Sequence, residues 1–227
     1  MIGIFDSGVG GFCAFREVRR LLPREDIVYL ADRKNAPYGT KTKDEITALT
    51  KADINTLLSF GVSKILIACC TASSVYDSLS DREREICLPI IRAAAERAAS
   101  GRSIAVIATE GTVRSGIFTR EIGGLTTSPV VEFPEQRLVA LVEGGCRDGR
   151  ISAECDEELQ GIAARVSEAE ADTLILGCTH FSHLEGELQK RCRIRTVSPA
   201  REGARALVKM IKTDRRECGK NIYLIRN

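Results

Sequence analysis

The sequence predicts an α/β fold in which parallel strands are joined by crossover helices, and three observations carry that prediction. Short β-branched runs recur along the chain with amphipathic stretches between them. At 227 residues and 44% hydrophobic content, the chain can fill one large α/β domain or two small lobes. Finally, "ILIACCT" (Ile65 to Thr71) aligns on "LILGCTH" (Leu174 to His180), placing Cys69 on Cys178 after matching aliphatic runs. That repeat suggests two similar halves, each presenting a thiol at a strand end.

Taken in order, strands are expected at Ile2 to Phe5, Ile27 to Ala31, Lys64 to Ala68, Ser103 to Ala108, Pro129 to Phe133, Thr173 to Gly177 and Ile194 to Val197. Each is a short apolar run bounded by turn or charged residues. The intervening segments carry helical periodicity. In Asp44 to Phe60, Ile46, Leu49, Ile54, Leu57 and Leu58 cluster on one side, and Gly61 stands where a helix ends.

Composition excludes several classes of function. Lys and Arg number 33 against 31 Asp and Glu, a net charge of +2, so no excess of positive charge points to nucleic acid or an anionic membrane. The "RDGR" (147–150) and "KTDRRECGK" (212–220) stretches read as solvated loops. No apolar run approaches a membrane span, and Asp6 comes too early for a signal peptide, so a cytoplasmic protein is expected. Nine cysteines without a repeated C-x-x-C spacing read as thiols in a reducing compartment. Cys13, Cys87 and Cys192 read as small buried hydrophobes or inert surface thiols.

In parallel sheets, ligands collect at the carboxyl ends of the strands. Three loops stand there: "DSGVGG" after the first expected strand, "CCTASS" after the third and "CTHFSH" after the sixth. A dinucleotide site is one reading, since Gly8 and Gly10 open a helix and Asp32 ends the next strand. Cys13 then occupies the place of the third glycine, and Asp6 sets a negative charge where a pyrophosphate would approach. A metal site made of Cys178, His180 and His183 is a second reading, short of an obvious fourth ligand. The third is a two-thiol acid/base pair. Hydroxyls follow each cysteine closely, Thr71 with Ser73 and Thr179 with Ser182, and each half adds a titratable group, Asp6 or His180. Two thiols facing one another across a cleft could take a proton from one face of a carbon and return one to the other.

Together "IGIFDSGVGG", "NAPYGTKTK", "IACCTAS", "TVRSG" and "LILGCTH" resemble, in order and spacing, the motif series of the cofactor-independent glutamate racemases of the aspartate/glutamate racemase superfamily. The resemblance implies two pseudo-symmetric α/β lobes, each a mostly parallel sheet flanked by helices, with the active site in the cleft between them. Residues 1–93 with 197–227 would form one lobe and 94–196 the other. It implies that Cys69 and Cys178 are the catalytic thiols, the first acting on the D-enantiomer and the second on the L-enantiomer, assisted by Asp6 and His180. Asp6, Ser7, Tyr38, Gly39, Cys70, Thr71, Thr179 and His180 fall on the substrate contacts. It implies no cofactor and no metal, a small amino-acid substrate, a role in supplying D-glutamate for peptidoglycan, and a family whose members often dimerise. Racemisation of aspartate or another amino acid, or a weakly active paralogue that binds its ligand, are the alternatives.

The chain departs from the family pattern at several places. Cys70 takes the position of an asparagine, and His183 that of an apolar residue. "LPIIRAAAERAA" lacks a glutamate-proline pair, "EFPEQRLVALVEGG" matches its wall loosely, and the chain ends after "NIYLIRN", where relatives commonly continue into another helix.

Overall fold

A computed structural model describes residues 1–147, 149–211 and 218–226. Residue 148 of the expected "RDGR" loop and residues 212–217 of "KTDRRECGK" lie outside the described residues. Nine strands are present among the described residues: β1 (Ile2–Asp6), β2 (Ile27–Ala31), β3 (Lys64–Ile67), β4 (Cys87–Pro89), β5 (Ile104–Ala108), β6 (Val130–Pro134), β7 (Thr173–Gly177), β8 (Arg195–Val197) and β9 (Asn221–Ile225). The helices are α1 (Phe12–Leu21), α2 (Lys43–Ser59), α3 (Cys70–Ser73), α4 (Asp81–Ile86), α5 (Ile90–Ala98), α6 (Glu110–Ser115), α7 (Ile117–Gly123), α8 (Gln136–Glu143), α9 (Ala153–Glu168), α10 (Glu185–Cys192) and α11 (Pro199–Met210).

Every residue of β1, β2, β5 and β7 is buried, which is why these strands read as unbroken aliphatic runs rather than as alternating ones. All seven expected strands form, with ends shifted by at most one residue. Two strands escaped the sequence reading. β4 has only three residues and ends in proline, and β9 carries exposed Ile222, Tyr223 and Ile225, so neither shows the pattern of a buried strand. The helix expected from Asp44 to Phe60 forms as α2, begun by a capping box between Thr42 and Glu45. Beyond its end, Gly61 adopts a φ of +76°.

The strands make two wholly parallel sheets, ordered β4-β3-β1-β2-β9 and β6-β5-β7-β8. Each sheet repeats one path: its first strand is flanked by the second on one side and the third on the other, with the fourth beyond the third. The chain therefore reverses direction across the sheet between β1 and β3 and again between β5 and β7, leaving a crevice at each switch point. β3 and β7 hold equivalent places in the two sheets. The sequence repeat of Ile65 to Thr71 on Leu174 to His180 is thus a repeat of position.

One buried cluster spans both sheets. Ile2 and Ile4 of β1, Ile104 and Val106 of β5, Phe15 of α1, Ile90 and Ala94 of α5, and Ala204 and Leu207 of α11 belong to it. The small residues of α5 and α11 let these helices lie close together between the sheets. The carboxyl ends of β1, β3, β5 and β7 are thereby brought to a common seam. Across it, Gly111 of α6 meets the backbone of Gly39, and a Cβ at Gly111 would stand 2.6 Å from the Gly39 carbonyl oxygen. Backbone cannot swing aside as a side chain would. Gly111→Ala should therefore cost about 1–3 kcal/mol of stability, read as a fall in melting temperature of about 2–4 °C for each kcal/mol; an unchanged melting curve would show that the seam is loose.

Candidate active site

Four loops build a single site at this seam. The first leaves β1 at Asp6, whose side chain is 0% exposed. Its Oδ1 accepts from the Gly8 N–H at 2.9 Å and its Oδ2 from the Thr179 hydroxyl at 3.1 Å. Burial raises the pKa of this carboxyl, against the pull of the nearby His180 charge and these hydrogen bonds. The glycines that follow exist for close approach. A Cβ on Gly11 would lie 2.3 Å from the Asp6 Cβ, and one on Gly10 would lie 2.7 Å from His180 Nδ1.

The second loop leaves β3 at Cys69, which caps α3. Its sulfur accepts from the Ala72 N–H at 3.4 Å, and its thiol donates to the Ser7 hydroxyl at 3.5 Å. Burial, followed by the Asp6 charge, pushes this thiol up to about 12; the Ser7 and Ala72 contacts offset only part of that. Cys69 is therefore a neutral thiol near neutral pH.

The third loop leaves β7 at Cys178 and enters a 3-10 segment, Thr179–Leu184. Here the surroundings differ. His180 Nδ1 stands 3.5 Å from the Cys178 sulfur, and His180 Nε2 stands 3.2 Å from Oε1 of Glu143 at the end of α8. Burial works against the imidazolium, but Cys178, Glu143 and Asp6 outweigh it and raise the pKa to about 10. The hydrogen bond from His180 in turn holds the Glu143 carboxyl below its usual range. His180 is thus a cation at neutral pH, with both ring nitrogens donating.

The fourth loop, 36–39, follows β2. Tyr38 is buried, and its hydroxyl reaches Asp32 Oδ2 at 2.7 Å and Asp53 Oδ2 at 2.9 Å. Facing this loop, the hydroxyls of Thr71, Thr109 and Thr112 form a triangle with edges of 2.9 to 3.1 Å. Three hydroxyl protons can close the three edges. A ligand carboxylate in need of donors would have to turn one of them outward.

The small cavity between the loops has a volume of about 20 Å³ and is lined by Ser7, Gly8, Ala36, Pro37, Tyr38, Gly39, Cys69, Cys70, Thr71, Thr109, Gln136, Val139, Glu143, Cys178, Thr179 and His180. Both cysteines of the repeat, and seven of the eight residues expected at the substrate, line it. Asp6 stands behind the wall. Cys70 lines the cavity and also packs in the cluster that spans the sheets; burial raises its thiol well above the ordinary range. Neither Lys nor Arg is among the lining residues, so His180 is the cation of the site.

Two alternatives lose their geometry. His183 lies on the same 3-10 segment as His180 but meets Cys13 of α1, with Nε2 3.3 Å from its sulfur, so Cys178, His180 and His183 do not converge. Among the described residues, no group of three or more His, Cys, Asp or Glu could hold a metal ion. Asp32, the candidate ribose partner, is 0% exposed and engaged by Asn35 and Tyr38. Two contributors were not singled out from the sequence. Glu143 sits beside the buried stripe of Leu138, Val139 and Val142 in the loosely matching wall segment, which was its only signal. Thr109 follows β5 as Ser7 follows β1, and the topological repeat could have pointed to it.

Known proteins resemble this chain in sequence and in fold. The family model described as Asp/Glu/Hydantoin racemase matches residues 14–207. The chain is 38% identical over 222 residues to a glutamate racemase of Corynebacterium diphtheriae, covering 92% of this chain and 80% of that one. It is 37% identical over 219 residues to a glutamate racemase of Mycobacterium tuberculosis, with 92% and 79% covered. Among solved structures, a glutamate racemase isoform from Bacillus anthracis superposes with a TM-score of 0.89 at 28% identity, covering 100% of this chain and 88% of that one. The glutamate racemase of Thermus thermophilus, in complex with β-chloro-D-alanine, gives 0.75 at 27% identity, with 99% and 86% covered. The two parallel sheets, the thiols at matching strand ends and these similarities lead to one conclusion: the chain belongs to the Asp/Glu/Hydantoin racemase family.

Proposed function

We propose that this protein interconverts L- and D-glutamate without a cofactor, with Cys69 and Cys178 as the two acid/base groups. The observation that carries the proposal is that two buried thiols, at equivalent strand ends, line one cavity in opposite chemical surroundings. The names of relatives at 37–38% identity support glutamate as the substrate. The two sheets would be the centres of two lobes, 1–93 with 197–227 and 94–196. D-Glutamate made in the cytoplasm would supply peptidoglycan precursors.

The resting arrangement suits one direction of reaction. His180, as imidazolium, stands beside the Cys178 sulfur, and in the proposed step the Cys178 thiolate removes the α-proton of L-glutamate. Electrons of the broken C–H bond pass to the α-carbon and its carboxylate. Cys69, a neutral thiol, then delivers its proton to the opposite face, giving D-glutamate and a Cys69 thiolate. The reverse reaction runs from that state, and the Ser7 hydroxyl and Ala72 N–H are in place to stabilise it. The carbanionic transition state gathers charge on the substrate carboxylate, where hydroxyls of the Thr71–Thr109–Thr112 triangle and the imidazolium can meet it. A cavity of about 20 Å³ has room for about one water molecule. Substrate must therefore enter while the walls are apart, and closure around it removes water that would compete for these donors.

Cys69→Ser and Cys178→Ser should each lower racemisation by orders of magnitude, because a serine alkoxide is far less available than a thiolate. In deuterated water, Cys69→Ser should still exchange the α-proton of L-glutamate through Cys178, and Cys178→Ser that of D-glutamate through Cys69. Wild-type turnover in both variants would refute the mechanism. If the native protein exchanges no α-proton in any L- or D-amino acid, the ligand-binding alternative stands instead.

A second prediction follows from Glu143. Its carboxylate helps hold His180 protonated up to about pH 10, so the L-to-D rate should fall as pH rises through that value. Glu143→Gln removes an anion that favours the imidazolium and should move this alkaline limb to lower pH. Profiles of kcat/KM for the two proteins decide it, and superimposable limbs would take Glu143 out of the proton relay.

A further inference from the structure

Behind the 36–39 wall, two aspartates lie together without access to solvent. Asp32 follows β2 and Asp53 belongs to α2, and both are 0% exposed. Two buried carboxylates can stay together only if a cation or a shared proton compensates them. Both devices are present. Arg226, which follows β9, donates from Nη1 to Asp53 Oδ1 at 2.7 Å and stands 3.2 Å from Asp32 Oδ1. Its Nη2 donates to the Thr56 hydroxyl at 3.0 Å. Its backbone is fixed as well: the N–H donates to the Ala31 carbonyl at 2.9 Å, and its own carbonyl accepts from the Lys34 N–H at 2.9 Å.

Tyr38 joins this cluster to the cleft. Its hydroxyl lies within hydrogen-bonding distance of both carboxylates, yet a phenol has a single proton and can donate to only one of them. Asn35 donates to both oxygens of Asp32. Burial and the Asp32 charge raise Asp53 to about 7, while Tyr38 and Arg226 pull it back. Below that pH, protonated Asp53 can donate to the Tyr38 oxygen while Tyr38 donates to Asp32, closing the chain. The wall so held lines the cavity directly. A Cβ on Gly39, the next residue, would lie 2.8 Å from both Thr109 Cβ and Gln136 Oε1.

We infer that Arg226 is a positioning residue for the reaction: through the Asp32–Asp53 pair it fixes Tyr38, and with it the 36–39 wall, at the place that substrate requires. The inference rests on the racemase reading for its kinetic test. It assigns a role in the site to the residue that follows β9, a strand with no buried-strand pattern in the sequence.

The test compares Arg226→Gln, Arg226→Lys and Tyr38→Phe with the native protein. Arg226→Gln should raise KM for both glutamate enantiomers by about five- to 20-fold with a smaller change in kcat. Arg226→Lys keeps the charge and should recover most of that loss. The groups facing Asp53 are Asp32, Tyr38 and Arg226. Loss of the cation disfavours the Asp53 anion, so an ionisation near pH 7 in the native kcat/KM profile should move to higher pH in Arg226→Gln. A merely structural Arg226 would give a lower melting temperature with native KM and pH profile when assayed below it, and that result overturns the proposal. Should Arg226→Gln fail to fold, Tyr38→Phe cuts the same link while leaving Arg226 and β9 in place; native KM in that variant also overturns it.

Failure of the racemase reading would show separately, as absence of turnover in the native protein. The clamp would then be judged from stability. Asp53 titrates higher in the folded chain than its ordinary value of 3.8, so its contribution is full at low pH and is lost as pH rises towards and through about 7. Asp53→Asn should flatten that fall in melting temperature, and Arg226→Gln should extend it to higher pH. A fall unchanged in Arg226→Gln would show that the cation does not govern the pair.

Discussion

A buried carboxyl, that of Asp6, is the constraint around which the site is arranged. No Lys or Arg contacts its carboxylate among the described interactions; the Gly8 N–H, the Thr179 hydroxyl and the His180 charge compensate it instead. Because Thr179 and His180 follow β7 while Asp6 ends β1, this compensation reaches from one sheet to the other. The same carboxyl, when ionised, favours a protonated His180 and a neutral Cys69. Crowding by Gly10 and Gly11 is the geometric side of the arrangement: the loop can approach Asp6 and His180 only where Cβ atoms are missing.

The proposed two-thiol reaction needs two faces treated alike and two groups in opposite protonation states. The repeated sheet topology meets the first need, since β3 and β7 deliver a cysteine each from equivalent positions. The loops bear on the second, because they set different groups beside the two sulfurs. After β3 the chain turns at once into α3, offering a hydroxyl and a backbone amide to the sulfur; after β7 it offers an imidazole held by Glu143. Symmetry therefore resides in the hydrogen-bonded scaffold, and asymmetry in the few side chains laid over it.

The parts legible in the sequence are those where one physical cause dominates locally. Buried parallel strands announce themselves as aliphatic runs, and all seven expected ones form. Cys69 and Cys178 stood out because a repeat of position left a repeat of residues. By contrast, Asp32 was visible only as an acid at a strand end, and that feature fitted a ribose partner as well as a buried ion cluster. Its actual neighbours, Asp53 and Arg226, come from elsewhere in the chain, and no local pattern connects them. Glu143 was hidden for the same reason, as an acid beside an apolar stripe looks like any solvated helix end. Cys70 was expected at the substrate, and its double placement, in the cavity wall and in the core, depends on the close packing of α3 against α5.

The hydrogen bond between Arg226 and Asp53 joins residues 173 positions apart, and β9 completes its sheet only by pairing with β2. Contacts across so long a stretch of chain carry a loop-closure cost that neighbouring β-α-β units avoid, so they form after the units they connect. During folding, both thiols can thus stand at their strand ends while the wall opposite them is still slack. Recovery of helix and sheet content after denaturation would then precede recovery of a functional cleft, and the interval between the two would measure the docking of a single edge strand.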